Sequence, residues 1–267
     1  MPVVGTNTAA NSAILYLNKN SAAQEKSLGH LSSGSRIVSA SDDAAGLAVS
    51  TQLRSDISVL TQGATNATQA QAVLNVADGA LKNIAEILQR MKSLVAQSLS
   101  GSVTDTARGY INSEYTALIA EITDIRDDTD FNGSDLIDGS YNQDFLVGTA
   151  AADVISVDLS GVAIVVALGT VDTAANAILA DALLITEVGN ISSIRSTVGS
   201  LSSRFGFRED VINTTIENLE AAKSSIVDTD IAEEQSRYTT AQVMTEVATA
   251  ALAQANNMKT SLLSLVQ

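Results

Sequence analysis

The chain of 267 residues has no cysteine, one histidine and one proline, which excludes disulfides, thiol catalysis, Cys-based zinc sites and paired-histidine metal sites. Hydrophobic residues make up 45% of it but aromatics only 3%, with no tryptophan, a composition that suits helices packed on helices more than an aromatic core. The net charge of −15 is concentrated in residues 121–187, with thirteen acids against the single base Arg126, so nucleic acid is not an expected partner and the middle is expected on a solvated outer surface.

No apolar run reaches the roughly 20 residues of a membrane span. The N-terminal stretch lacks the basic start and apolar core of a cleaved secretory signal. The chain is therefore expected to stay in the cytosol or to leave by a route that uses no cleaved peptide.

Near the start, Ile14, Leu17, Ser21, Gln24, Leu28 and Leu31 alternate by three and four, a heptad seam with a polar centre. His30 lies beside Leu28 and Leu31 with no partner group in its own helix, and reads as a packing histidine rather than a ligand or catalyst. "SSGSRIVSASDDAAGLAVS", Ser32 to Ser50, interrupts the helical spacing. Gly34 and Gly46 are expected to supply turns there. Ser41 or Asp42 is expected to cap the next helix, and Arg36 to pair with Asp42, Asp43 or a neighbouring copy.

The next helix is expected from about Ala44 to Leu99, roughly 80 Å long at 1.5 Å per residue. Its seam runs through Leu53, Ile57, Leu60, Ala64, Ala67, Gln71, Leu74, Asp78, Leu81, Ala85 and Leu88. A third helix follows, with Tyr115, Leu118, Ile122 and Ile125 on one side. "DDTDFNGSDLIDG" imitates a calcium loop through Asp128, Asp130, Asn132 and Gly133, but Gly139 stands where the bidentate Glu belongs, so a helix end and a turn are expected instead.

Between Phe131 and Thr170, Gly and Asn/Asp punctuate short β-branched runs, which predicts two to four short strands or hairpins. Helix then resumes, with a seam through Val198, Leu201, Phe205, Arg208, Ile212, Thr215, Leu219, Ala222 and Ile226. The last helix repeats Ala241, Met244, Ala248, Ala251, Ala255, Met258, Leu262 and Leu265. Its alanines let a partner backbone approach closely but bury little area each. Its polar face lacks the Lys and Arg of a membrane-surface helix, so helix–helix assembly is preferred over membrane insertion. Such a seam is marginal alone in water and calls for the helix at the other terminus and for neighbouring subunits.

These segments, taken in order, resemble bacterial flagellin over roughly the first 135 and last 80 residues. "LSSGSRIVSASDDAAGLAVS", "QGATNATQAQAVLNVADGALKNIAEILQRMKSLVAQS", "TDFNG" and the C-terminal "LAQAN" and "LLSL" carry the resemblance. It implies a mainly α fold with a small β insert, in which long antiparallel helices from both termini form coiled-coil-like bundles and short β-hairpins occupy the middle. Residues 1–40 and 231–267 would then be inner-tube helices, 41–135 and 186–230 an outer-tube domain, and 136–185 a short surface insert. The function implied is a filament subunit for swimming motility, not an enzyme, with no catalytic residue, cofactor or metal.

The resemblance also implies specific residues and partners. Arg36, Asp42, Asp43 and Gly46 would form an assembly elbow. Leu17, Leu28, Leu31, Met244, Ala248, Ala251, Met258, Leu262 and Leu265 would form the terminal packing seam. Arg90, Leu94 and Glu114 match the surface that the family presents to Toll-like receptor 5, although Ser93 replaces the usual Glu. Partners would be other copies of the chain, the export apparatus, an export chaperone and the filament cap. A hook–filament junction protein, which carries a Pro after the paired aspartates, and a filament-displayed adhesive module are the alternatives; "SDDAAGLA" has no such Pro.

Overall fold

A computed structural model describes residues 6–161, 164 and 166–264, and side chains up to residue 258. In chain order it contains α1 (Thr8–Ser33), α2 (Ala44–Ser98), α3 (Asp105–Asp128), β1 (Asp130–Phe131), β2 (Ser134–Asp135), β3 (Asn142–Leu146), β4 (Val154–Asp158), α4 (Ala174–Val227) and α5 (Ile231–Ser264). The chain divides into two compact units, Met1–Ser55 with Asn218–Gln267, and Asp56–Glu217.

The second unit holds the larger core. Leu60, Gly63, Ala67, Ala70, Leu74, Ala77, Leu81, Ile84, Leu88, Met91, Val95 and Ser98 are buried along α2, an unbroken alternation of three and four. The face is one residue off the expected one at every second position: Ala70, Ala77 and Ile84 point inward where Gln71, Asp78 and Ala85 were expected. From α3 come Ile111, Tyr115 and Ile122, and from α4 Leu184, Ile191, Val198, Leu201, Phe205 and Ile212. Arg195 Nε donates to Asp78 Oδ1 at 2.9 Å and ties α4 to α2.

The "DFNG" segment is a hairpin end, not an ion loop. β1 pairs antiparallel with β2, and the two residues between them, Asn132 (φ 55°) and Gly133 (φ 76°), both have positive φ. That is the type I′ requirement for which Asn-Gly is the favoured pair.

β3 and β4 form a second antiparallel hairpin, with Asn142 opposite Asp158 and Leu146 opposite Val154. On β4, Ile155 and Val157 are buried while Val154, Ser156 and Asp158 are exposed, the period of two that a half-buried strand requires. α2 and α4 both grip this hairpin. Asn66 Nδ2 donates to the Leu146 carbonyl at 2.9 Å, and Arg208 Nε to the Val147 carbonyl at 3.0 Å. Gly63 faces the Val147 backbone so closely that a Cβ there would lie 3.4 Å from it. Phe145 meets Phe205 edge to face, ring centroids 5.9 Å apart.

The acidic middle is therefore not a purely solvated segment. Most of its carboxylates are exposed, but Glu187 is buried, and so are Leu136, Ile137, Tyr141, Val147, Leu159, Leu168 and Val171 in this unit. A strap of chain after β4 is fastened to the helices. Val171 N–H donates to Asn112 Oδ1 at 2.9 Å, and its carbonyl accepts from Ser98 Oγ at 2.8 Å.

Tyr115 Oη donates to the Leu168 carbonyl at 2.9 Å, and burial pushes the phenol up to about 12 from its ordinary value of 10.0. A raised folded value means the neutral phenol is favoured in the fold, so its contribution is complete below pH 10 and lost as pH climbs toward 12. Tyr115→Phe orphans a buried carbonyl and is expected to cost about 1–3 kcal/mol at neutral pH. It should also remove this residue's share of the alkaline loss. Urea titrations at neutral pH and an alkaline melt of both proteins check the two effects.

Among the described residues one helix, α4, contains a stretch long and apolar enough by length and composition to cross a membrane, although it holds no unbroken apolar run of that length. Water-soluble core helices pass the same test, and α4 carries Ala177, Ala180, Leu184 and Ile191 into the core.

Candidate assembly elbow and terminal seam

In the first unit α1 and α5 lie antiparallel. Three ties fix their register: Asn7 Nδ2 donates to the Ala255 carbonyl at 3.1 Å, Gln24 Nε2 to Tyr238 Oη at 3.4 Å, and His30 Nδ1 lies 3.4 Å from Glu234 Oε1. On α5 the shielded residues are Glu234, Tyr238, Ala241, Thr245, Ala248, Leu252 and Ala255, spaced four and three throughout. On α1 they are Ala10, Ala13, Leu17, Asn20, Gln24, Ser27 and Leu31, spaced three and four. Both are heptad faces built mostly from small or polar groups, with Leu17, Leu31 and Leu252 as the large apolar members.

The structure rearranges the expected seam. Leu17, Leu31 and Ala248 lie on the contact. Leu28 (53% exposed), Met244 (52%) and Met258 (58%) point away from it, as does Ala251. Leu265 and the side chain of Leu262 lie outside the described residues. The physical reason is volume: small side chains let the two backbones approach, and each large residue one step around the helix is left outside. Ile14, Leu15, Tyr16, Val243 and Val247 are exposed in the same way.

His30 and Glu234 are both almost fully buried at the elbow end of this contact. Neither ring nitrogen of His30 has a hydrogen-bond partner among the described residues. The Glu234 carboxylate is also approached by Arg237 Nη1 at 3.6 Å. The histidine thus packs across two helices.

At the elbow, two helix-to-helix connections run side by side and are laced together. α1 ends at Gly34, whose φ of 68° is the left-handed cap that glycine adopts without strain. Thr229 N–H donates to the Gly34 carbonyl at 3.2 Å, and Arg36 N–H to the Val227 carbonyl at 2.6 Å. Arg36 Nη2 donates to the Ile226 carbonyl at 2.8 Å. Arg36 therefore caps the carboxyl end of α4, where a cation is favoured, instead of pairing with Asp42 or Asp43 as expected. Asp230 Oδ1 accepts from the Ala232 and Glu233 N–H groups and caps the start of α5.

The two aspartates have separate tasks. Asp43 Oδ1 accepts the Gly46 N–H at 2.9 Å and is the cap of α2, a role expected of Ser41 or Asp42. Asp42 Oδ2 gathers Val38 N–H, Ser39 N–H and Ser39 Oγ within 3.2 Å, and its Oδ1 meets Lys26 Nζ at 2.7 Å. The Lys26 ammonium, then the Ser39 groups, hold its carboxyl far below the usual carboxylate range. Gly46 makes no turn. It lies within α2, and a Cβ there would sit 2.5 Å from Asp43 Oδ2 and 2.7 Å from Ile37 Cδ1, so glycine is what allows the cap and Ile37 to close over the helix start.

The third group of residues lies in the second unit. Arg90 Nε donates to Glu114 Oε1 at 2.9 Å, and both side chains are about half exposed. Leu94 is 1% exposed and belongs to the core, so it is not part of that surface. Its place four residues after Arg90 puts it one turn on, but on the face that packs inward.

Comparison with known proteins accords with this architecture. Residues 4–142 match the bacterial flagellin N-terminal helical region, and residues 183–266 the bacterial flagellin C-terminal helical region. The chain is 34% identical over 259 residues to a flagellin of Halalkalibacterium halodurans, covering 95% of this chain and 94% of that protein. It is 32% identical over 302 residues to a flagellin of Bacillus subtilis, covering 99% of both, and 32% identical over 285 residues to a flagellar filament 33 kDa core protein of Treponema phagedenis, covering 99% and 100%. The crystal structure of Bacillus cereus flagellin superposes with a TM-score of 0.51 at 25% identity, covering 60% of this chain and 94% of that one.

Proposed function

The chain belongs to the bacterial flagellin family, and from that premise we propose how its parts divide the work of building a filament. It is a structural protein, not an enzyme: a subunit that polymerises with copies of itself into the extracellular flagellar filament. The observation that carries the reading is the inverted seam of the first unit. Mostly small or polar residues face one another within the chain, while Leu15, Tyr16, Leu28, Val243, Val247 and Met258 are left on the outside. Large exposed apolar side chains on paired helices mark surfaces that other chains cover.

Residues 1–40 and 231–267 form the inner layer, 41–135 and 186–230 the outer layer, and 136–185 the face turned to solvent. The elbow of Arg36, Asp42, Asp43 and Gly46 passes packing from one layer to the next. The export apparatus, an export chaperone and a filament cap handle the chain before it is placed. A chain with no cysteine and one proline has no disulfide to mispair and little slow isomerisation, which suits threading in an unfolded state. Electron microscopy of the purified chain after seeding tests the reading. Long tubes are expected; a chain that stays monomeric with α1 and α5 paired overturns it.

Arg90 and Glu114 form the surface for Toll-like receptor 5, with Leu94 supporting it from beneath. A reporter-cell assay separates the two roles. Arg90→Ala is expected to lower the response with the thermal midpoint unchanged. Leu94→Ala is expected to cost about 2–5 kcal/mol of stability, as a core truncation. An undiminished response from Arg90→Ala at every dose sinks the assignment.

A further inference from the structure

The second unit carries two grooves of opposite charge on different helices. The first, about 450 Å³, lies between the β3–β4 hairpin and α4. Phe207 (72% exposed), Val211 (55%) and Val154 (38%) form its apolar wall. Arg204 and Arg208 supply its charge. Arg204 makes no hydrogen bond or ion pair among the described residues, and Arg208 spends only Nε on the Val147 carbonyl. The acid in this groove, Asp153, is already turned to the Ala150 N–H of its own hairpin.

The second groove, about 370 Å³, lies between α2 and the end of α3. Its floor is Val76, Ala80 and Ile125, and its rim is Glu121, Asp124 and Asp128. These three carboxylates have no ion-pair partner among the described residues.

We propose that, in the filament on which this inference rests, the Arg204–Phe207 groove of one subunit docks on the Asp124 groove of the next. The occupant is a second copy of this chain because the two surfaces complement each other in charge and each carries apolar side chains beside its charges. Phe207, a large ring standing free, meets a small apolar floor, and two guanidinium groups meet three unpaired carboxylates. Two different patches on one unit make a heterologous contact, the kind that propagates without closing into a dimer.

A charge swap tests it. Seeded elongation is followed by light scattering and electron microscopy for the unaltered chain, Arg204→Glu, Asp124→Arg and the double variant. Both positions are exposed, so all four monomers are expected to give the same circular dichroism and urea midpoint. Each single reversal is expected to slow elongation about tenfold or more through like-charge repulsion, and the double variant to recover most of it. The proposal is overturned if both single variants elongate at the unaltered rate, or if the double variant is no faster than the slower single one. Failure of the unaltered chain to elongate would overturn the filament reading itself, which keeps the two outcomes apart.

Discussion

A chain cut after Glu234 is expected to stay monomeric under conditions in which the full chain elongates seeds into long tubes. The cut removes Tyr238, Ala241, Thr245, Ala248, Leu252 and Ala255, the whole α5 side of the seam beyond its first contact. α1 then has 26 residues and nothing to pack on. Most helical stability in a protein comes from tertiary packing, and a seam of Ala, Leu, Asn, Gln and Ser left without its partner loses that support. The second unit should be untouched, because Tyr115, Phe205 and the α2 face lie within Asp56–Glu217. Circular dichroism should therefore show helix lost from the termini with one cooperative unit remaining. Elongation by the truncated chain at the rate of the full chain would show that the paired termini are dispensable.

Reversing both elbow aspartates, Asp42→Lys with Asp43→Lys, is expected to abolish elongation as well, for a different reason. Lysine at 43 cannot accept the Gly46 N–H, and losing such a cap costs about 1 kcal/mol. It also sets a positive charge at the positive end of α2. Lysine at 42 faces Lys26 and leaves Val38 N–H, Ser39 N–H and Ser39 Oγ without their acceptor. The folded carboxyl of Asp42 is depressed, so its contribution is present above the ordinary aspartate range and is lost as pH falls below it. Acid should thus loosen the elbow progressively as pH falls through and below the ordinary aspartate range, and the Asp42→Asn chain should lack that acid step. Asp43→Asn is the control, since asparagine caps nearly as well as aspartate and should leave elongation close to normal. Normal filaments from the double lysine variant would remove the elbow from the assembly mechanism.

The extent of the longest helix was readable from the sequence almost to the residue. α2 was expected from about Ala44 to Leu99 and runs Ala44–Ser98, because Gly, Ser and Asp before it and Gly101 after it are strong local punctuation. The helix faces were harder. On α4 the expected Val198, Leu201, Phe205 and Ile212 all face the core, but on the terminal helices every seventh residue was right and the position between was off by one: Ile14 for Ala13 and Leu28 for Ser27 on α1, Met244 for Thr245 on α5. Periodicity alone does not choose between neighbouring stripes, and bulk favours the wrong one when the contact is made of small residues.

The elbow's residues were legible as a group, since a charged Ser/Gly segment between two apolar-striped helices calls for caps. Their partners were not. Arg36 is closed by carbonyls 190 residues away, and nothing in "SRIVSASDD" points to Ile226. The burial of the acidic middle was missed for a similar reason. Its charges are spread over the sequence, and only strand alternation and the strap to Tyr115 and Ser98 sort its apolar residues inward.

The alanine seam has a consequence for how the chain can vary. Ala241, Ala248 and Ala255 have glycine as their only smaller replacement, and glycine inside a helix costs about 1 kcal/mol. Every other change adds volume where two backbones already meet. The outward residues carry no such constraint, since Tyr16 or Met258 can give way to another large apolar side chain without disturbing the pair. Within the pair itself, mutational tolerance is therefore inverted relative to an ordinary core: the smallest, least apolar-looking positions are the frozen ones, and the large outward positions answer only to the neighbouring subunits that cover them.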